Sequence, residues 1–371
     1  MGSVGGGCGS PEEEEERTAG SRGDPPPPAV CVTGSTGYVG SWLVRTLLRR
    51  GYLVHATARD TGKAWQVLGA VEEGRDRLRM FRADMGEERS FDAAVTGCVA
   101  LFHVAASMEL HVSPAHHDNL EEHVRSSVLE PATRGTINVL RSCVRAGTVR
   151  RVVFTSSVST LTAVDDEGRR KAVLDESCLR ALDDVKCIKP VGWIYILSKR
   201  LTEEAAFRFA RENGVHLVSL VLPTVAGPFL TPSVPTSIQL LLSPITGDPK
   251  LYAVLASVHA RFGCVPLAHV QDACDAHVFL MEAPCAEGRY LCAAGGYAAA
   301  HLARLLASRY PPFRPGDRLS RDFDDASCSP PVVSSRRLMD LGFRFRHGVE
   351  DVVKDSVAQC LAHGFLEHPE T

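Results

Sequence analysis

The chain is 371 residues long, with 44% hydrophobic residues, 23% charged residues and a formal net charge of −3, the balance of a globular protein able to bury a substantial core. That charge gives no footing for a nucleic-acid or membrane-surface partner, and no apolar run approaches the ~20 residues a membrane span needs. Twelve cysteines are scattered without a CxxC pair or a zinc-type Cys/His spacing, which predicts free structural thiols in a reducing, cytoplasmic compartment and no metal site.

Residues 1–28 differ from the rest. Gly5 to Gly7, the acidic run Glu12 to Glu16 and the prolines Pro25 to Pro28 predict a disordered tail, because such a composition cannot build a packed core. The acidic run argues against an organelle transit peptide. The remaining 29–371 read as one dinucleotide-binding domain, with substrate-binding elements mainly from 223–371. The first strand is expected at Ala29 to Thr33, then a helix from Tyr38 to Arg50 with Val39, Trp42, Leu43, Leu47 and Leu48 on one stripe and Gly51 as its stop. Further strands are expected at Tyr52 to Ala58, Leu78 to Arg82, Val99 to Val104, Arg151 to Thr155 and His216 to Leu222, with helical patterns between them. This alternation predicts an α/β fold: a Rossmann-type doubly wound parallel sheet with a smaller C-terminal substrate-binding region. Past Pro223 the prolines Pro228, Pro232, Pro235 and Pro244 predict loops and short elements.

Between the first strand and the first helix lies Gly34-Ser-Thr36-Gly37-Tyr38-Val39-Gly40. Glycines there permit a tight turn and let the backbone approach a pyrophosphate at the helix N-terminus. Arg59 ends the second strand and Asp60 follows. A carboxylate at this place would bind the ribose hydroxyl of NAD, an arginine the 2′-phosphate of NADP. Spacing alone admits both; we read Arg59 as the ligand, with Asp60 turned away, and hence NADPH. Asp84 is a candidate for the adenine amino group, and Val104, Ala105, Ala106 and Ser107 end the fourth strand where they would line the cofactor.

Of seven tyrosines, Tyr195 alone has a lysine four residues on, Lys199. In a helix from Gly192 to Arg211 that spacing sets both on one face, where a cation can draw a phenol toward neutrality for proton transfer. Upstream, Ser157 follows a strand and can hydrogen-bond a substrate oxygen that gains charge as hydride arrives. Phe154, Trp193, Ile194 and the segment from Phe229 to Leu242 are candidates for an apolar pocket. The histidines His111, His116, His117 and His123 read as a solvated insert, and Trp65 and Trp193 as core or rim packing.

These residues sit in longer blocks: VTGSTGYVGSWLV at 32–44, ATARD at 56–60, FRAD at 81–84, FHVAAS at 102–107, RRVVFTSS at 150–157, YILSK at 195–199, LSPITGD at 242–248 and EGRYLCAA at 287–294. With them the chain resembles the extended short-chain dehydrogenase/reductases, and more narrowly the plant dihydroflavonol reductase, anthocyanidin reductase and HC-toxin reductase group. The resemblance implies Ser157, Tyr195 and Lys199 as catalytic residues, with Lys199 also on the nicotinamide ribose. It implies Arg59 as the 2′-phosphate ligand of NADPH, and Pro223, Thr224 and Val225 as the segment beside the nicotinamide. Two positions depart from the group: Gln66 replaces a lysine, and Thr162 stands where dihydroflavonol reductases carry a substrate-gripping Asn or Asp. The cinnamoyl-CoA reductase signature is absent. The expected substrate is therefore a flavonoid-like aromatic of the anthocyanidin-reductase type, with a dihydroflavonol or toxin-like ketone as alternative. A nucleotide-sugar epimerase and a non-catalytic dinucleotide sensor are the rival functions.

Overall fold

The computed structural model describes residues 27–106, 120–165, 167–310 and 331–367. Twelve strands run in chain order: β1 (Ala29–Thr33), β2 (Leu53–Ala58), β3 (Leu78–Arg82), β4 (Cys98–His103), β5 (Arg151–Ser157), β6 (Val173–Leu174), β7 (Leu217–Leu222), β8 (Thr224–Ala226), β9 (Val265–His269), β10 (Gly288–Leu291), β11 (Gly295–Tyr297) and β12 (Val332–Val333). Seven form one parallel sheet in the order β10-β7-β5-β4-β1-β2-β3. Val30, Cys31 and Val32 are wholly buried, as expected of a strand covered on both faces, where an unbroken apolar run replaces alternation.

The helices are α1 (Tyr38–Arg49), α2 (Thr61–Leu68), α3 (Asp92–Val95), α4 (Leu120–Val124), α5 (Glu130–Ala146), α6 (Leu182–Ile188), α7 (Trp193–Glu212), α8 (Thr236–Thr246), α9 (Pro249–Phe262), α10 (Val270–Glu282), α11 (Ala299–Arg309), α12 (Arg336–Asp340) and α13 (Val349–Ala362). One face of the sheet packs against α1 and α10, through Leu43, Leu47, Ala273 and Val278. The other packs against α3, α5 and α7, through Ala94, Leu140 and Ala206. The stripe predicted on α1 is buried apart from the half-buried Val39, and its Trp42 indole donates to Gln271 Oε1 at 2.9 Å. Because β1 pairs with β2 on one side and β4 on the other, chain order reverses there, and the crevice at the carboxyl edge between them is where such folds take ligands.

The C-terminal part is more regular than its prolines predict. A second apolar core gathers α8, α9, α11 and α13 around β8 and β9, through Leu241, Leu255, Leu306 and Val357. Pro244 lies inside α8 without ending it. The sheet has a seventh strand, β10, which the sequence pattern does not separate from its surroundings. No helix among the described residues is long and apolar enough to cross a membrane.

Candidate active site

After β1 the chain turns sharply. Gly34 has φ +66°, and its carbonyl accepts the Gly37 N–H at 3.0 Å. A Cβ on Gly34 would lie 2.8 Å from the Ala105 backbone, and one on Gly40 would lie 2.0 Å from the Gly34 carbonyl, so these two glycines let the loop pack on itself. Gly37 differs. It is exposed, and a Cβ there would meet nothing closer than the Gly34 oxygen at 3.4 Å. It therefore borders open space before the N-terminus of α1, whose first N–H groups have no side-chain cap. Free donors, a favourable dipole and room for a phosphate coincide here.

Thr36 is half-buried in the same turn, and Val39 packs on the core. Tyr38, predicted as a cofactor contact, turns its ring to the junction of the two main apolar clusters, where its hydroxyl has no hydrogen-bond partner and burial pushes the phenol up. Its contribution to a dinucleotide site is narrowed to its backbone. Arg59 lies exposed at the end of β2 and makes no ion pair among the described residues. Asp60 caps α2, its carboxylate accepting the Lys63 N–H at 3.0 Å. Lys63 and Gln66 are both exposed on α2, and Trp65, also exposed, has the Arg75 guanidinium 5.8 Å from its ring. Asp84 is half-buried and accepts from Gly86 N at 2.8 Å. Val104, Ala105 and Ala106 follow β4 at the same edge; Ser107, like His111, His116 and His117, lies outside the described residues.

Sequence reasoning missed what supports this edge. Ala105 N donates to Thr33 Oγ1 at 3.1 Å, and Thr33 Oγ1 lies 2.9 Å from His103 Nδ1. His103 Nε2 lies 3.3 Å from Thr136 Oγ1 on α5. With Thr33 donating to Nδ1, the proton sits on Nε2 and the ring is neutral. Burial, reinforced by Lys199, pushes His103 down to about 3, so it stays neutral while it pins Ala105 against Gly34. A histidine in a strand gives no local sign of such a partner set.

Across the crevice, Ser157 closes β5, and its hydroxyl is near enough to the Tyr195 phenol to pull it down. Ser157 Oγ accepts the Ser159 N–H at 3.2 Å. Tyr195 stands in the first turn of α7, which Gly192 opens at φ +77°. One turn on, Lys199 is buried, and its Nζ donates to the Thr155 carbonyl at 3.1 Å, 6.0 Å from the Phe154 ring. A small cleft runs past Tyr195, Ser198 and Lys199 to Ala105, Ala106 and Met85, joining the two sides of the crevice.

Burial pushes the Tyr195 phenol up, and Ser157 pulls it partly back. The ammonium is turned to Thr155, and burial pushes it down to about 8. Pro223 and Val225 are buried and Thr224 half-buried where β7 passes into β8. Of the predicted pocket, Phe154 is in the core, and Phe229, Val234, Ile238, Leu241 and Leu242 are buried in the second core, leaving Leu230 and Leu240 partly exposed. Trp193 and Ile194 are half-buried, with Lys189 Nζ 5.5 Å from the Trp193 ring. The Thr162 hydroxyl is engaged by the Val164 N–H at 3.3 Å.

A parallel sheet that reverses order at β1, with an open glycine turn at the reversal, defines a dinucleotide-binding protein of the Rossmann class. The chain belongs to the NAD dependent epimerase/dehydratase family, whose model matches residues 30–292. A putative anthocyanidin reductase of Ginkgo biloba is 38% identical over 340 residues, 91% of this chain and 95% of that protein. The dihydroflavonol 4-reductase of Zea mays is 39% identical over 344 residues, 91% of this chain and 89% of that one. Among solved structures, vestitone reductase from alfalfa superposes with a TM-score of 0.74 at 31% identity, covering 91% of this chain and 99% of its own. Yeast methylglyoxal/isovaleraldehyde reductase, complexed with NADPH, superposes at 0.73 with 20% identity over 91% of this chain and 99% of its own, a likeness of fold. Within the family the chain is an NAD(P)-dependent oxidoreductase of the extended short-chain dehydrogenase/reductase type.

Proposed function

We propose that the protein uses NADPH to reduce an aromatic, flavonoid-like substrate, of the anthocyanidin-reductase type first and a dihydroflavonol or toxin-like ketone second. The observation that carries this reading is the cleft in which Tyr195 and the buried Lys199, one turn apart on α7, face Ala105 and Ala106 beside the glycine turn, with Ser157 at the end of β5. The names of the relatives, anthocyanidin reductase and dihydroflavonol 4-reductase, supply the substrate class. Thr162, standing where dihydroflavonol reductases carry an Asn or Asp, favours the first over the second.

The residues present fit a dinucleotide: Gly37 leaves the space a side chain would fill, and the uncapped N–H groups of α1 face it. NADPH bound there supplies the hydride. The Gly34–Gly40 turn takes the pyrophosphate, Arg59 the 2′-phosphate, Asp84 the adenine amino group and Lys199 the nicotinamide ribose, with Pro223, Thr224 and Val225 bordering the nicotinamide. Ser157 and Tyr195 hold the substrate oxygen, so charge developing on it meets two fixed donors. Tyr195 then delivers a proton from its Oη, and Lys199 offsets the charge left on the phenolate. Because burial holds the phenol protonated, Tyr195 is set to give a proton rather than take one. The ten cysteines among the described residues are all free, which suits the cytoplasm, where we place the protein.

The test is NADPH oxidation by the purified chain with an anthocyanidin, a dihydroflavonol and a simple aromatic aldehyde side by side. Turnover of one flavonoid class selects the branch. NADPH binding without turnover of any of the three would move the substrate first to a toxin-like ketone and then the protein to a sensing role.

A further inference from the structure

Tyr195, Lys199 and Glu203 follow one another at i, i+4 and i+8 on α7 and therefore share one face. Glu203 is wholly buried, which a carboxylate tolerates only with partners. It has two. Ser219 of β7 donates its hydroxyl to Oε1, and Arg289 Nε of β10 lies 3.1 Å from the same oxygen. Arg289 is off the line of a hydrogen bond, and Oε2 has no hydrogen-bond partner. The carboxylate is thus held by Ser219 and ion-paired with Arg289, with Oε2 left without a hydrogen-bond partner.

Lys199 presents the complementary shortage. Its ammonium is buried, donates to one carbonyl, that of Thr155, and forms no ion pair among the described residues. The titratable groups around it are few. His103 faces it from β4 and is neutral, Tyr195 lies one turn before it, and Glu203 one turn after. From β5 and β7 come the Thr155 carbonyl and the Ser219 hydroxyl, neither charged.

We propose that Glu203 is a positioning residue for the reduction: it supplies, from one turn behind Lys199, the buried countercharge that keeps the ammonium charged within the site. Glu203 touches neither substrate nor cofactor and acts through Lys199. Arg289 is its counterweight, anchored over the Phe207 ring at 4.8 Å, and it keeps the carboxylate from being an isolated buried charge. Burial drives Lys199 down to about 8, and Glu203 opposes that fall. Without it the ammonium would lose its proton at a lower pH, close to where the reaction must run.

The role rests on the reductase reading, so the experiment separates the two. The chain has seven lysines, few enough to follow individually by 13C-lysine NMR, with the Lys199 signal assigned by its loss in Lys199→Arg. Its titration midpoint is measured in the wild type, Glu203→Gln and Glu203→Asp, alongside thermal unfolding and the pH dependence of kcat/KM. Glu203→Gln keeps an acceptor for Ser219 and removes the charge. The Lys199 midpoint should fall, and the alkaline limb of kcat/KM should move down with it, a tenfold loss at high pH for each unit of about 1.4 kcal/mol. Glu203→Asp keeps the charge one methylene further back and should fall between the other two. It decides alone if the Gln variant does not fold. A lowered melting temperature with an unmoved midpoint in either folded variant would overturn the proposal, because a purely structural carboxylate has that effect. Turnover by the wild type decides the reductase reading separately, since the NMR midpoint needs no substrate.

Discussion

Tyr195 and Lys199 are displaced in opposite senses by one cause. Burial disfavours the charged form of each, so the phenol rises and the ammonium drops to about 8. A reduction that needs both groups protonated is therefore limited on the alkaline side by Lys199, and kcat/KM should decline above about pH 8, with Tyr195 still protonated. Stability should move the other way. Below pH 8 both folded and unfolded chains hold this proton, and the burial penalty is fully felt. Between about 8 and 10.5 the folded chain has released it while the unfolded chain keeps it, so this group's contribution rises with pH. Urea unfolding and a rate profile on one preparation would reveal the opposed slopes. Tyr195→Phe should reduce turnover by about 100- to 10,000-fold, the range of a lost general acid, while a fluorescence titration finds NADPH affinity little changed. Retained turnover would remove Tyr195 from the mechanism. The pair was legible in the sequence because its four-residue spacing is local. Glu203 and Ser219 are 16 positions apart, and Thr33 and His103 are 70 apart, so their meeting depends on strand order that no short pattern encodes.

The glycine turn divides its labour between two elements, and substitutions should separate the parts. A Cβ on Gly40 would stand 2.0 Å from the Gly34 carbonyl, a contact that forces β1 and α1 apart. Gly40→Ala should therefore cost folding stability, about 1–3 kcal/mol as for other overpacked sites, as well as cofactor affinity. A Cβ on Gly37 finds ordinary contact inside the protein and points to the open side. Gly37→Ala should leave the melting temperature of the free protein unchanged and weaken NADPH binding alone. Calorimetric unfolding with and without NADPH distinguishes the cases, and equal destabilisation by both would refute this division. Element by element, β1 and α1 were readable because burial of the strand on both faces writes an unbroken apolar run, punctuated by glycine. The C-terminal elements were not. Pro244 resembles a helix stop, yet α8 continues through it with Leu241 and Leu242 buried, and tertiary packing outweighs the local penalty. The last strand of the sheet, β10, has four residues, too short for its periodicity to register.

At the scale of the whole molecule, binding at the sheet edge is linked to the stability of the entire fold, because both sides of the crevice are built on the same strands. A ligand bound only by the folded chain raises its stability by about 2.7 kcal/mol at a free concentration a hundred times its Kd. Arg59 makes that linkage specific. It projects from the end of β2 with no ion pair among the described residues, while its neighbour Asp60 caps α2 through Lys63 N at 3.0 Å. The cap fixes the direction of the Asp60 carboxylate toward α2, and the guanidinium is free to take a phosphate. Wild-type protein should show a larger thermal shift with NADPH than with equal NADH. Arg59→Ala should lose about 10- to 100-fold in NADPH affinity, the worth of a hydrogen bond to a charged group, and shrink the NADPH shift to the size of the NADH shift. The NADH shift itself should not move, because it owes nothing to the guanidinium. Since Arg59 is exposed and supports no packing, the free variant should melt with the wild type. Any loss of NADPH binding then reads as a lost phosphate ligand. Equal shifts for the two cofactors in the wild type would instead assign the ribose to Asp60 and make the protein an NAD enzyme.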